Sequence, residues 1–222
     1  MIRPRVIEKA KFNGLALAGS ILGLPVDYAL SMCHSLVAYD GRIHVDVIDA
    51  TYPRGSGVSD EVIRRIPAEL QEAVELHLMV GPDAPVAHFG RFGRIIAHLR
   101  EPGDFELARR IPAGVERWIS IEPPRWEPPD VRQAVATVQP TGILIMLTPP
   151  AAAPARADLN RLLLPSAIEA RSLLPIGVDG GARPEHFAPL ASLGVTSVVV
   201  GRALFHTMKT GAPGAETGER SR

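Results

Sequence analysis

Eight short runs of apolar and β-favouring residues recur along the chain: Leu15–Ile21, Ile43–Ile48, Val74–Val80, Arg94–Leu99, Arg117–Ile121, Gly142–Leu147, Pro175–Val178 and Ser197–Val200. Most are near-continuous apolar strings rather than strict alternations, the pattern of strands covered on both faces in a parallel sheet. The spacers carry helical patterning at Asp60–Ile66, at Phe105–Ile111 behind Asp104 as a candidate N-cap, at Asp130–Val138 after Pro128-Pro129, and at Leu159–Leu174, the longest. Eight strands joined by helical crossovers predict a single α/β domain, a (β/α)8 TIM barrel over residues 1–209. A doubly wound sheet is the alternative, but eight evenly spaced units favour closure. Residues 210–222 are Gly, Ala, polar and charged, and are expected to form a disordered tail. No stretch reads as a linker between two domains.

Composition narrows the function classes. Apolar residues make up 46% and charged residues 22% of 222, which suits one folded domain with a sizeable core. Lys plus Arg (24) balance Asp plus Glu (24), so neither nucleic-acid binding through bulk positive charge nor polybasic attachment to a membrane is expected. The single cysteine, Cys33, excludes an internal disulfide and a cysteine-rich zinc site, and it fits a reducing compartment. Arg3, Arg5, Lys9 and Lys11 precede Ala16-Leu17-Ala18 as in a leader peptide, but no apolar run of the required length lies between them. Nor does any stretch approach the roughly 18 apolar residues of a membrane span. A cytoplasmic protein is expected.

Barrels of this kind do their chemistry at the C-terminal ends of the strands. The polar residues that interrupt the apolar runs are therefore the candidates. The second run carries His44, Asp46 and then Asp49; the third carries His77; the seventh leads to Asp179 ahead of Gly180-Gly181. The first ends at Ser20, the fourth contains His98, and the eighth ends at Gly201-Arg202. His44 and Asp46 are two apart and so share one face of their strand. If that face is the barrel interior, His77 and Asp179 can meet them near its mouth. Two imidazoles and two carboxylates around one point suit a divalent transition metal, with zinc, iron, manganese and cobalt all compatible. Burying the two carboxylates with neither cation nor partner would be costly. His98 alone reads as a hydrogen-bonded core or rim histidine.

The motifs His44-Val45-Asp46-Val47-Ile48-Asp49, His77-Leu78-Met79-Val80, Val178-Asp179-Gly180-Gly181 and Gly201-Arg202-Ala203-Leu204-Phe205 resemble those of the ribulose-phosphate 3-epimerases, in the same order. Gly19-Ser20-Ile21-Leu22 is similar to that family's first-strand motif, and the likeness runs from about Leu17 to Phe205. The resemblance implies a ribulose-phosphate-binding type of barrel and a homo-oligomer. It implies one divalent metal per chain on His44, Asp46, His77 and Asp179, with Asp46 and Asp179 also the two acid/base groups. Ser20 and His77 would contact substrate, and Met79 and Met146 would line the site, with Ile48 in place of a third methionine. Gly180, Gly181, Gly201 and Arg202 would fall on segments that hold a substrate phosphate. The implied reaction inverts the carbon next to the ketone of a ketose or ketose phosphate, such as ribulose 5-phosphate, through an enediolate.

Three departures touch substrate binding rather than the metal quartet. Where the family has a glycine-rich loop after the sixth strand, this chain reads Thr148-Pro149-Pro150-Ala151-Ala152-Ala153-Pro154-Ala155, which has no glycine and three residues without an amide hydrogen. Ile48-Asp49-Ala50-Thr51-Tyr52-Pro53 alters the loop after the second, and Arg202 replaces a small serine. Two other readings stand beside the epimerase. One is a sugar-phosphate decarboxylase or aldolase on the same barrel; the related decarboxylases resemble this chain in fold, but their second-strand Asp-x-Lys-x-x-Asp pattern is missing, positions 44–49 having no lysine. A barrel that retains a metal and binds a sugar phosphate without turnover is the non-enzymatic reading.

Overall fold

The eight apolar runs pair in chain order into a closed, all-parallel barrel, each strand bonded to the next and the last returning to the first. This computed structural model describes residues 1–52, 56–149 and 156–205. The strands are β1 (Ala16–Ser20), β2 (Arg42–Ile48), β3 (Val74–Met79), β4 (Arg94–His98), β5 (Glu116–Ile121), β6 (Gly142–Met146), β7 (Ile176–Asp179) and β8 (Ser197–Val200). The expected disordered tail at 210–222 and most of the glycine-free loop, residues 150–155, lie outside the described residues.

Why the runs read as continuously apolar is visible in their two faces. Outward side chains such as Val45, Leu76, Leu78, Ile95, Ile119, Ile143, Ile145 and Val198 pack in one large core beneath the helices. Alternate residues point inward, where Ala18, Ile96, Trp118, Leu144, Met146 and Val199 form a separate apolar plug inside the barrel. Below that plug lies an ionic layer. Arg94 donates to both carboxylate oxygens of Glu116 and to Glu75, and its guanidinium stacks 4.1 Å from the Trp118 ring centroid. The inward face above the plug carries the chemistry.

The covering helices are α1 (Pro4–Phe12), α2 (Val26–Ala38), α3 (Asp60–Arg65), α4 (Glu106–Arg109), α5 (Pro128–Val138), α6 (Pro165–Leu173) and α7 (Phe187–Ser192). No helix among the described residues is long and apolar enough to cross a membrane. Helix α1 has no counterpart in the sequence reading. It buries Val6, Ile7 and Ala10. Its start is pinned to the segment after β8, with the Arg3 amide donating to the Leu204 carbonyl at 2.8 Å and Ile2 bridging Phe205. Its end turns through Gly14, at a φ of 71°, into β1. It therefore runs antiparallel to β1, against which it packs.

Three expected helices come out differently. Leu159–Leu174 is interrupted: a 3-10 turn spans Leu159–Leu163 and α6 begins at Pro165. Pro165 drives Leu164 out of the helical region, to φ −68° and ψ 147°, as a proline does to the residue before it. Asp104 does not cap α4; Phe105 occupies the N-cap and the helix shortens to Glu106–Arg109. Asp130 sits three residues inside α5, where its carboxylate accepts the Glu127 amide in a reciprocal capping box.

Candidate metal centre

Register brings the centre together. On the paired strands β2 and β3, His44 lies opposite Glu75 and Asp46 opposite His77. With inward residues two apart, this places His44, Asp46, Glu75 and His77 on one patch of the barrel interior. Asp179 ends β7, level with Met146 on β6. One ligand atom from each of His44, Asp46, His77 and Asp179 lies within 4.8 Å of all the others. His44 Nε2 is 3.2 Å from Asp46 Oδ1 and 3.8 Å from Asp179 Oδ2; His77 Nδ1 is 3.4 and 3.7 Å from the same two oxygens. A tetrahedron with metal–ligand bonds of about 2.1 Å has edges of about 3.4 Å, and the four imidazole–carboxylate separations, 3.2, 3.8, 3.4 and 3.7 Å, fall close to that.

The tautomers agree with that reading. Glu75 is buried and accepts, so His44 Nδ1–H donates to its Oε1 at 2.8 Å, and Nε2 is the nitrogen that faces Asp46 and Asp179. His77 Nε2 faces His98 Nδ1 at 3.3 Å. Burial, then the neighbouring His77, Arg125 and Arg100, hold His98 neutral by pushing its pKa well below the usual histidine value. With His98 Nδ1 as acceptor of the His77 Nε2–H, the other nitrogen of His77 is left for a ligand. That Nδ1 is buried and has no hydrogen-bond partner, as expected of an atom reserved for a ligand.

Charge is balanced on the same atoms. Burial raises the Asp46 carboxyl, but the His44 and His77 imidazoles outweigh it and hold Asp46 far below the ordinary carboxylate range. Burial depresses His44, and its contacts with Asp46, Glu75 and Asp179 more than reverse this. Burial would also raise Glu75, which is held down by His44, Arg94 and Arg42. Ser20, at the end of β1, donates to Asp46 Oδ2 at 3.2 Å and turns that oxygen toward the mouth.

Above the cluster opens a cavity of about 770 Å³. Ser20, Asp46, Met79, Met146, Asp179, Gly180, Gly181, Gly201 and Arg202, all singled out from the sequence, line it, as does Ile48. His44 and His77 are fully buried and are not among the residues that line it. Gly180 has a φ of 110°, and a Cβ there would sit 2.4 Å from Thr148 Oγ1, so only glycine lets the β6 and β7 loops approach this closely. Asp49 is a turn-former. Its carboxylate accepts the Thr51 and Gly81 amides, both at 2.8 Å, and it faces no ligand group.

Sequence reasoning missed Glu75, although its position two residues before His77 in one strand was a usable signal. It also missed the joining of His98 to His77, which depends on register between strands, and Arg3, Arg156 and Arg183, which line the cavity with Arg202.

No family model matches the chain, and no curated protein matches it. Solved structures do. A mutant tryptophan synthase alpha-subunit from Pyrococcus furiosus aligns with a TM-score of 0.63 at 18% identity, covering 86% of this chain and 88% of that one. Tryptophan synthase from Mycobacterium tuberculosis gives 0.56 at 18%, over 90% and 88%. Monomers of the dimeric phosphoribosylanthranilate isomerase from Thermotoga maritima give 0.54 at 19%, over 85% and 87%. At such identities the likeness is one of fold. The chain is a TIM barrel.

Proposed function

We propose that this protein is a metal-dependent epimerase of the ribulose-phosphate 3-epimerase type, inverting the carbon beside the ketone of a ketose or ketose phosphate. The observation that carries the reading is the placing of Asp46 and Asp179. Both carboxylates line the cavity floor, and both lie within 4 Å of the same two buried imidazole nitrogens. Epimerisation removes a proton from one face of a carbon and returns one to the other, and two carboxylates on separate strands suit that division. Asp46, kept ionised by His44 and His77, serves as one proton carrier at its Oδ2, the oxygen oriented by Ser20. Asp179, at the more open end of β7, serves as the other. Met79 and Met146 present apolar, deformable surface to a flat enediolate and exclude water from it. His44, Asp46, His77 and Asp179 would hold one divalent ion per chain, zinc, iron, manganese or cobalt; when bound it supplies Lewis-acid stabilisation of enediolate charge, worth several kcal/mol.

The lysine-dependent reading loses ground on the same cavity. The chain has three lysines, Lys9, Lys11 and Lys209. Lys9 and Lys11 are on α1, and no lysine lines the cavity among the described residues. The deciding experiment incubates metal-loaded protein with pentulose and hexulose phosphates, and with the free sugars, in deuterated water. Exchange of the C3 hydrogen with inversion supports the proposal. Absence of exchange from every sugar, in protein shown to carry metal, would overturn it in favour of a binding barrel without turnover.

A further inference from the structure

Four arginines reach the cavity from four separate stretches of chain: Arg3 ahead of α1, Arg156 after β6, Arg183 after β7 and Arg202 after β8. All four are exposed at the mouth. Some arginines elsewhere are paired, as Arg42 and Arg94 are with Glu75, Arg65 with Asp27 and Arg132 with Glu169. No ion pair holds any of the four at the mouth among the described residues. Apart from Asp46 and Asp179 on the floor, the one carboxylate in the lining among the described residues is Glu185. Four like charges gathered around one opening repel each other and focus a positive potential into it. An anion entering there relieves that repulsion. Guanidinium groups are also the side chains best shaped for it, because each can meet a phosphate or a carboxylate with two parallel hydrogen bonds.

Position within the fold sharpens the point. Arg156, Arg183 and Arg202 stand on loops after strands, where a barrel's ligand residues are expected. Arg3 does not; it precedes α1, and it arrives at the mouth because its own amide is tied to the Leu204 carbonyl, two residues beyond Arg202. We propose that this rim is an anion site built from side chains. It would hold a phosphate or carboxylate at the far end of the substrate, with Arg3 one of its binding residues. The orientation of that substrate rests on the proposed function, since its reacting end would lie against Asp46 and Asp179; the anion site itself does not.

Titration calorimetry of the full chain at low salt tests it, with inorganic phosphate and with malonate as probes. Metal-loaded and chelator-treated protein are compared, so that a failed metal reading and a failed anion site are told apart. The expected result is saturable binding of at least one probe that survives chelation and the His77→Ala change, and weakens as salt rises. Arg3→Gln and Arg202→Gln should each weaken it at least fivefold, and the double variant about fiftyfold, with the circular dichroism of the parent. Arg5→Gln removes the same charge from the same helix but lies outside the cavity lining, and should leave affinity unchanged. A preference for phosphate or for malonate then names the anionic group. Failure of both probes to bind the parent would overturn the proposal. So would equal affinity in parent and double variant, or an equal loss from Arg5→Gln.

Discussion

The Nδ1 of His44 and the Oε1 of Glu75 are 2.8 Å apart, across two strands whose register sets the residues directly opposite each other. A buried carboxylate behind a ligand histidine fixes its tautomer and raises its basicity, and losing such a partner typically costs 10–100-fold in metal affinity. We therefore expect Glu75→Gln to lose metal to a competing chelator about 10–100-fold more readily than the parent. Because Glu75 also meets Arg42 at 3.4 Å and Arg94 at 2.9 Å, the melting temperature should fall as well. Metal affinity unchanged in a folded Glu75→Gln protein would remove Glu75 from the site.

Asp46→Asn and Asp179→Asn should each abolish epimerisation of any sugar the parent turns over. One of the two should still wash solvent deuterium into a single epimer, since the proposed mechanism gives each carboxylate one face of the reacting carbon. Metal content must be followed in parallel, because both are also proposed ligands. Full activity in either variant would break the assignment.

How much of this was readable beforehand depends on the range of the interaction. His44 and Asp46 share a face by period-2 geometry within one strand, which needs no knowledge of the fold. The convergence of His77 and Asp179 required only the assumption of barrel closure. Glu75 and His98 were different, since their partners are set by register between strands, and register is a three-dimensional quantity. Helix α1 was hidden by its charges: Arg3, Arg5, Lys9 and Lys11 dominate the segment, while the buried stripe is only Val6, Ile7 and Ala10. Pro165 was a visible break inside Leu159–Leu174, and the apolar pattern on both sides of it masked the signal.

Cys33 is fully buried on α2, and burial pushes its thiol from 9.0 up to about 11. The folded thiol thus keeps its proton where the unfolded one has lost it. Between pH 9 and about 11 the unfolded state binds fewer protons, so stability contributed by the neutral thiol falls as pH rises through this window. Urea unfolding at pH 8 and pH 10.5 should show a loss in the parent that exceeds the loss in Cys33→Ala. The native thiol should also resist alkylation at pH 8 until denaturant is added. Rapid alkylation of native protein would contradict the burial.

Gly142 opens β6, and a Cβ there would lie 2.3 Å from the Trp118 indole. Gly142→Ala should destabilise the barrel by about 1–3 kcal/mol, the usual range for overpacking a filled interior. Gly103→Ala meets nothing within 4 Å and carries only its backbone strain at a φ of 93°. A chevron series would compare them, and equal stability of Gly142→Ala and the parent would show that the interior plug can yield.

The knot between Ile2, Arg3, Leu204 and Phe205 also has a consequence for biogenesis. During synthesis α1 leaves the ribosome before every strand of the barrel, yet the segment that holds its start emerges only after β8. Until then Val6, Ile7 and Ala10 have an incomplete surface to rest on, and the loop to be closed spans nearly the whole described chain. Closure of so distant a pair comes late and slowly, leaving an exposed greasy stripe that invites aggregation or capture by a chaperone.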